Sequence, residues 1–224
     1  MLWCEDYLFV HYPKTAGKTL TRFFVQAWPR PIAGFISKGQ VNELADCELE
    51  KTGIVVGRGH ENLAQSAAIV AEGGGDIATM KGIFCCIRNP YDLMVSNYHF
   101  MRETYKGNKH RPNFVIAHEN SFVDFCEKVG VTCPSKWMTI DGNQPDNLQI
   151  IKFEQMNDDL NMYSKKFGFD MPVLGHLNAS KRAHYSEYMC ERTEKAISTS
   201  FAYWFDQGYY KRESFGTESQ LKSA

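Results

Sequence analysis

Little in this chain points outward. Its charges nearly cancel, 25 Lys and Arg against 26 Asp and Glu, for a net charge of −1. No global field therefore draws it to nucleic acid or a membrane surface, and any anion site has to be local. No apolar run reaches the roughly 20 residues of a membrane span, and the N-terminus lacks a basic stretch followed by an apolar core. The seven cysteines (Cys4, Cys47, Cys85, Cys86, Cys126, Cys133 and Cys190) are odd in number and contain no Cys-x-x-Cys pair. That argues against a zinc site and against a disulfide framework. Cys85 and Cys86 sit in an apolar run and read as small hydrophobes; a Cys126–Cys133 bridge is the alternative that a reducing compartment disfavours. His99, His118, His176 and His184 have no metal-ligand spacing, so no metal is expected. Internal repeats and low-complexity segments are also missing. At 224 residues the chain suits one well-buried α/β domain and is too short for two.

What is there is organised around residues 7–20. Tyr7 to Val10 is an apolar run that predicts a buried strand, and a helical pattern begins near Lys18. Between them lies Pro13-Lys14-Thr15-Ala16-Gly17. A strand, a small-residue loop and a helix start together make an anion site. The first N–H groups of the helix point into the loop, and the helix dipole favours negative charge there. Lys14 and Lys18 add positive charge, and Thr15 and Thr19 add hydroxyls. The stretch reads as a phosphate cradle. A nucleoside-triphosphate loop would be G-x-x-x-x-G-K-[ST]; Gly17-Lys18-Thr19 fits its end, but Tyr12 stands where its first glycine belongs.

Further strands are predicted at Gly53–Gly57, as a buried β-branched run, at Lys81–Ile87 and at Leu148–Phe153, with a short one over Pro31–Ile36. Helices are predicted at Thr19–Trp28, from about Leu63 to Glu72, at Tyr91–Arg102, Phe122–Val129 and Glu154–Phe167, with one long helix over Ser186–Phe205. Residues 104–118 read as a solvated loop, with an acceptor-binding lid as the alternative. Strands alternating with helices imply a mostly parallel sheet with helices on both faces. Ligands then bind beyond the carboxyl ends of the strands. Lys14 to Thr19, His60 and Arg88 each follow a predicted strand, so all three should gather at one sheet edge.

Pro13-Lys14-Thr15-Ala16-Gly17-Lys18-Thr19-Leu20 resembles the 5′-phosphosulfate loop of the sulfotransferases, which carry a lysine directly after the proline. That family takes 3′-phosphoadenosine 5′-phosphosulfate (PAPS) as donor and releases adenosine 3′,5′-bisphosphate. The segment from Ile87-Arg88-Asn89-Pro90 to Ser96 resembles its 3′-phosphate segment, with an arginine after a strand and a serine eight residues on. Physically, Arg88 can fork two donors onto a phosphate and Ser96 can add a third. The alternative is an arginine that caps the helix or pairs with Asp92, and a solvated serine. Gly59-His60 resembles the place where several carbohydrate-type members keep a general base; a neutral imidazole can take a hydroxyl proton. The alternative is a histidine packed at a helix start, with Glu61 and Asp92 as rival bases. His11 reads as a core residue. Ile150 to Met156 looks like the family's strand ending in an aromatic–glutamate pair, here Phe153-Glu154. Leu177 to Tyr185 resembles the late loop over the donor, offering Ser180, Lys181 and Arg182, or else a basic surface loop.

The resemblance thus implies a PAPS-dependent sulfotransferase with a P-loop-like three-layer α/β/α fold in one domain, residues 1–215, and a mobile tail over 216–224. Thr15, Ala16, Gly17, Lys18, Thr19 and Leu20 would form the 5′-phosphate site, and Arg88 and Ser96 the 3′-phosphate site, with Ser180 and Arg182 closing over the donor. Lys14 would stabilise the leaving phosphate and His60 would activate an acceptor hydroxyl, of a carbohydrate or small metabolite, by direct in-line transfer without metal. Animal carbohydrate sulfotransferases are membrane-anchored Golgi proteins. The lack of an anchor in this sequence leads to a cytosolic reading, unless one was removed. A P-loop kinase or NTPase, or a non-catalytic nucleotide-binding module, is the competing reading. Against the first stands the arginine where Walker-type enzymes place a magnesium-binding aspartate.

Overall fold

The computed structural model of the chain describes residues 1–41, 44, 47, 49, 52–57, 59–107, 109–131, 133–172 and 182–217. Six strands form one sheet: β1 (Leu2–Trp3), β2 (Tyr7–Val10), β3 (Ala33–Ile36), β4 (Gly53–Val56), β5 (Gly82–Ile87) and β6 (Leu148–Lys152), in the order β4-β3-β1-β2-β5-β6. The β2–β5, β5–β6 and β3–β4 pairs are parallel, while two-residue β1 runs antiparallel to both β2 and β3. Strands β2 to β6 therefore all point one way, and the loops that follow them leave from one edge. Register puts Val10 opposite Cys85 and Ile87 opposite Lys152. The α/β class and the mostly parallel sheet are as the sequence implied.

Two compact units divide the chain: Met1–Ile87 with Ser135–Ala179, and Arg88–Pro134 with Ser180–Ala224. The first holds the sheet, α1 (Gly17–Ala27), α2 (Leu63–Glu72) and α6 (Met156–Phe167). Because side chains alternate along a strand, Tyr7, Phe9, Phe84 and Cys86 share one face. They are buried with Leu20, Phe23 and Phe24 of α1 and Leu160 and Tyr163 of α6. The opposite face, Leu8, Val10, Ile83, Cys85 and Ile87, is equally buried. That double burial explains why β2 and β5 read as continuous apolar runs. β4 differs from expectation. It is a sheet-edge strand with Val55 54% and Val56 43% exposed, not a buried one.

In the second unit, α3 (Pro90–Thr104) contacts α4 (Pro112–Glu119), α5 (Phe122–Lys128) and α7 (Glu191–Ser200), and α8 (Ala202–Asp206) follows α7. Tyr98, Phe122, Phe125 and Tyr188 make its aromatic core. Residues 112–118, expected to lie in a loop, fall in α4: Pro112 occupies its first turn, where a missing N–H costs nothing. The single helix expected over Ser186–Phe205 is broken. A 3₁₀ turn (Tyr185–Tyr188) precedes α7, which starts at a Cys190–Thr193 capping box, and Phe201 separates α7 from α8.

Candidate active site

The loop between β2 and α1 is built by backbone conformation. Lys14 (φ 65°) and Ala16 (φ 58°) are both left-handed without being glycine, on either side of Thr15. Such residues cost on the order of 1–3 kcal/mol each and persist where the surroundings impose them. Alternation with left-handed residues turns successive N–H groups inward and makes an anion-binding concavity. Immediately beyond it α1 begins at Gly17, with no acidic residue in its first turn and no side-chain cap at Ala16. The positive end of the helix is thus left to face an anion. Thr15 is fully buried and its hydroxyl donates to the Tyr12 carbonyl at 2.7 Å, so it braces the loop from within. Tyr12 is buried edge-on against Trp137, 4.8 Å between centroids. Leu20 donates its N–H to the Ala16 carbonyl at 3.0 Å and places its side chain in the core. Lys14 and Lys18 are half-buried, and Thr19 is 6% exposed.

Behind the cradle stands His11, which sequence reading had assigned to the core. It is buried, at 7% exposure, and it touches both Gly59 and Gly17. Its Nδ1 lies 3.1 Å from the Gly59 carbonyl. A carbonyl only accepts, so this nitrogen carries the proton and Nε2 carries the lone pair. The Nε2 edge lies against Gly17: a Cβ on Gly17 would sit 1.5 Å from it. Gly17 is therefore required for space. Gly59 is tight for a similar reason, since a Cβ there would come 3.2 Å from the Ser37 N–H nitrogen at the end of β3. The chain leaving β4 passes closely over that strand end and returns towards β2.

This return delivers His60. Its ring lies 4.4 Å from that of His11, centroid to centroid, and its Nδ1 lies 3.5 Å from the His11 carbonyl. That contact, weak as it is, favours the tautomer with a bare Nε2, the one a general base needs. Desolvation of the ring lowers the His60 pKa, partly countered by the His11 carbonyl and by Glu61. Desolvation and the nearby His60 hold the His11 pKa well below 6.5. A hollow of about 540 Å³ opens beside His60, lined by Glu61, Gln65, Ala68, Ile69 and Glu72. Residues 65, 68, 69 and 72 follow helical spacing, so one face of α2 forms its wall.

The second cluster lies at the start of α3. Asn89 caps this helix, accepting from the N–H groups of Tyr91 and Asp92, and Pro90 takes the first helical position. One turn in, Asp92 receives Arg88 through Nε at 2.7 Å and Nη2 at 2.6 Å, and Arg182 through Nη2 at 2.5 Å. Arg88 Nη1 reaches Ser96 Oγ at 3.5 Å. The Arg88 and Arg182 side chains are 11% and 9% exposed. Two guanidiniums sharing one carboxylate keep a net positive charge, with their planes held for an anion. Arg88, Ser96 and Arg182 are thus brought together, and Asp92, named from sequence as a partner or rival base, is the group that joins them. Both of its oxygens are committed to guanidiniums. Ser180 and Lys181 lie outside the described residues, as do Arg58, His176 and residues 218–224.

Glu154 sits in a 3₁₀ turn after β6 and is exposed. His99 Nε2 meets the Tyr188 hydroxyl at 3.0 Å, and His118 packs on Tyr105. Among the described residues no group of three His, Cys, Asp or Glu side chains is placed to hold a metal, and no helix is long and apolar enough to cross a membrane. All seven cysteines are outside disulfides, Cys126 and Cys133 included.

Comparison with known proteins gives three findings. Residues 80–166, which span β5, Arg88, α3 and β6, match the sulfotransferase domain family. No curated protein matches. Among solved structures, the chain is similar to mouse sulfotransferase SULT7A1 complexed with PAP, at 17% identity and a TM-score of 0.49, over 87% of this chain and 82% of that one. The likeness to that domain thus rests on the β5–Arg88–α3–β6 stretch, less than half of the chain.

Proposed function

We propose that the chain transfers a sulfuryl group from PAPS to an acceptor hydroxyl, in one domain spanning residues 1–215. The observation that carries this reading is the left-handed pair Lys14 and Ala16 at the start of α1, a concavity of N–H groups flanked by Lys14 and Lys18. It suits the 5′-phosphate of the donor, with the backbone of Ala16 and Gly17, the side chains of Lys18 and Thr19, and Thr15 and Leu20 shaping the loop. Arg88, Ser96 and Arg182 offer guanidinium and hydroxyl donors suited to a 3′-phosphate, held in place by Asp92. Ser180 joins this reading from sequence.

The donor supplies an activated sulfuryl group. The protein supplies charge and a base. Lys14 stabilises negative charge on the departing phosphate, the kind of preorganised electrostatic help that is commonly the largest catalytic term. His60 takes the acceptor proton on Nε2 as oxygen bonds to sulfur and the sulfur–phosphate oxygen bond breaks. Its depressed pKa keeps the ring neutral at pH 7. The hollow beside His60 lies in the volume range of small-molecule sites, about 300–1,000 Å³, and suits a sugar or small metabolite. No step requires a metal. Seven cysteines without a disulfide support a reducing compartment such as the cytoplasm.

The test is transfer from radiolabelled PAPS to a panel of sugars, phenols and aliphatic alcohols. Lys14→Ala is expected to abolish transfer with the fold intact, and His60→Ala to lower it about 10²- to 10⁴-fold. Near-normal transfer by Lys14→Ala would contradict the assignment. Bisphosphate binding without transfer to any acceptor would favour a binding module, and a magnesium requirement would favour the NTPase reading that Gly17-Lys18-Thr19 suggests.

A further inference from the structure

We infer that His11 is a positioning residue, a wedge that fixes the loop carrying His60 against the first residue of the phosphate cradle. This rests on the reading of His60 as the base. Three contacts carry it. The Nδ1–H of His11 donates to the Gly59 carbonyl at 3.1 Å, one residue before His60. The Nε2 edge occupies the space above Gly17 where a side chain would begin. The His11 backbone carbonyl faces His60 Nδ1 at 3.5 Å, and the two rings stand 4.4 Å apart. One buried ring thus touches both halves of the chemistry, the phosphate loop and the base loop.

A packing role alone does not need this arrangement. Phe9 stacks on His11, 6.0 Å between centroids, and an apolar ring would serve there as well. A hydrogen-bonding ring is demanded only by the Gly59 carbonyl, a buried acceptor on a segment that otherwise crosses a strand end. The loop comes from β4, at the far edge of the sheet, and has to be held over β2 for His60 to face the cradle. Burial keeps His11 neutral, so the wedge does not change charge while His60 titrates. The charged neighbours of His60 are Glu61 and the Met1 ammonium.

The wedge has a side-chain signature. The Nδ2 of asparagine sits on the same bond as histidine Nδ1 and can reach the Gly59 carbonyl; glutamine extends towards the Nε2 position and cannot. Long-range ¹H–¹⁵N spectra of histidine rings read both the His11 tautomer and the His60 titration, independently of turnover. In the wild type, His11 should carry its proton on Nδ1. His11→Asn should leave the His60 midpoint within about 0.2 pH unit of wild type, whereas His11→Gln should raise it towards 6.5 as the loop shifts. Calorimetry with adenosine 3′,5′-bisphosphate should show His11→Asn binding as the wild type does. Equal effects of Asn and Gln on His60 would overturn the inference. So would a wild-type His11 proton on Nε2, a result that stands even where a variant does not fold. Wild-type transfer by His60→Ala would instead remove the base assignment and leave the His11 contacts as they are.

Discussion

Gly17→Ala is the substitution for which the structure gives the clearest magnitude. A Cβ at residue 17 would lie 1.5, 2.1 and 2.2 Å from Nε2, Cε1 and Cδ2 of His11, where ordinary contact begins near 3.4 Å. A gap of about 2 Å would have to open. The ring is tied to Gly59 and in contact with the rings of Phe9 and His60, which limits how far it can yield. Overpacking of this kind costs about 1–3 kcal/mol, and displacing the ring forfeits a hydrogen bond worth about 0.5–1.5 kcal/mol. Alanine's better helix propensity returns at most about 1 kcal/mol. The net loss is then about 0.5–4.5 kcal/mol, a fall in Tm of about 1–18 °C for a chain of this size. Thermal unfolding followed by circular dichroism measures it. The control is the same change in a His11→Ala background, where the vacated space should remove most of the penalty and leave a coupling of about 0.5–3 kcal/mol. A Tm within about 1 °C of wild type, or equal losses in both backgrounds, would refute the contact and the spatial requirement for glycine.

Other consequences follow from burial and charge. Asp92→Ala leaves two guanidiniums, 11% and 9% exposed, without their shared carboxylate. A loss of about 3–5 kcal/mol is expected, partly recovered on adding adenosine 3′,5′-bisphosphate; denaturant titration with and without it would show this. His11 and His60 both have folded-state pKa values below 6.5, so the unfolded chain takes up protons first. Their contribution to stability is complete above about pH 6.5 and is lost as pH falls through that value. Denaturant midpoints measured across that range should drop, and a His11→Asn/His60→Asn variant should show a flatter profile. Burial pushes the Cys85 thiol up to about 12 and the Cys126 thiol up as well, while Cys133 is exposed. Alkylation of the native protein, read by mass spectrometry, should mark Cys133 first and leave Cys85 and Cys126 intact.

The parts of the fold legible in the sequence are those with strong local signals. β2 and β5 are buried on both faces, so their apolar runs are continuous, and Pro90 and the 73–75 glycines mark helix limits where the structure has them. β4 carries the same β-branched signal as a buried strand. Its place at the sheet edge is decided by topology, which composition does not encode. α4 went unread because its residues lack apolar periodicity, and β1 because two residues carry none. In the candidate site, Arg88 and Ser96 were picked out by resemblance to a family segment, and the structure places them 3.5 Å apart while also pairing Arg88 with Asp92. Arg182 meets Asp92 across 90 residues, a contact set by the fold alone. His11 follows an apolar strand and was expected in the core, where it lies; its contacts with Gly17 and Gly59 join segments 6 and 48 residues away and are set by the fold.

The central proposal is that the chain binds PAPS, and titration calorimetry addresses it directly. Adenosine 3′,5′-bisphosphate and Mg-ATP would be titrated separately into wild type and Arg88→Ala. The account predicts tight, metal-independent binding of the bisphosphate, weakened at least about tenfold in the variant, a loss of about 1.4 kcal/mol or more. Preference for Mg-ATP, unchanged by loss of Arg88, would contradict it.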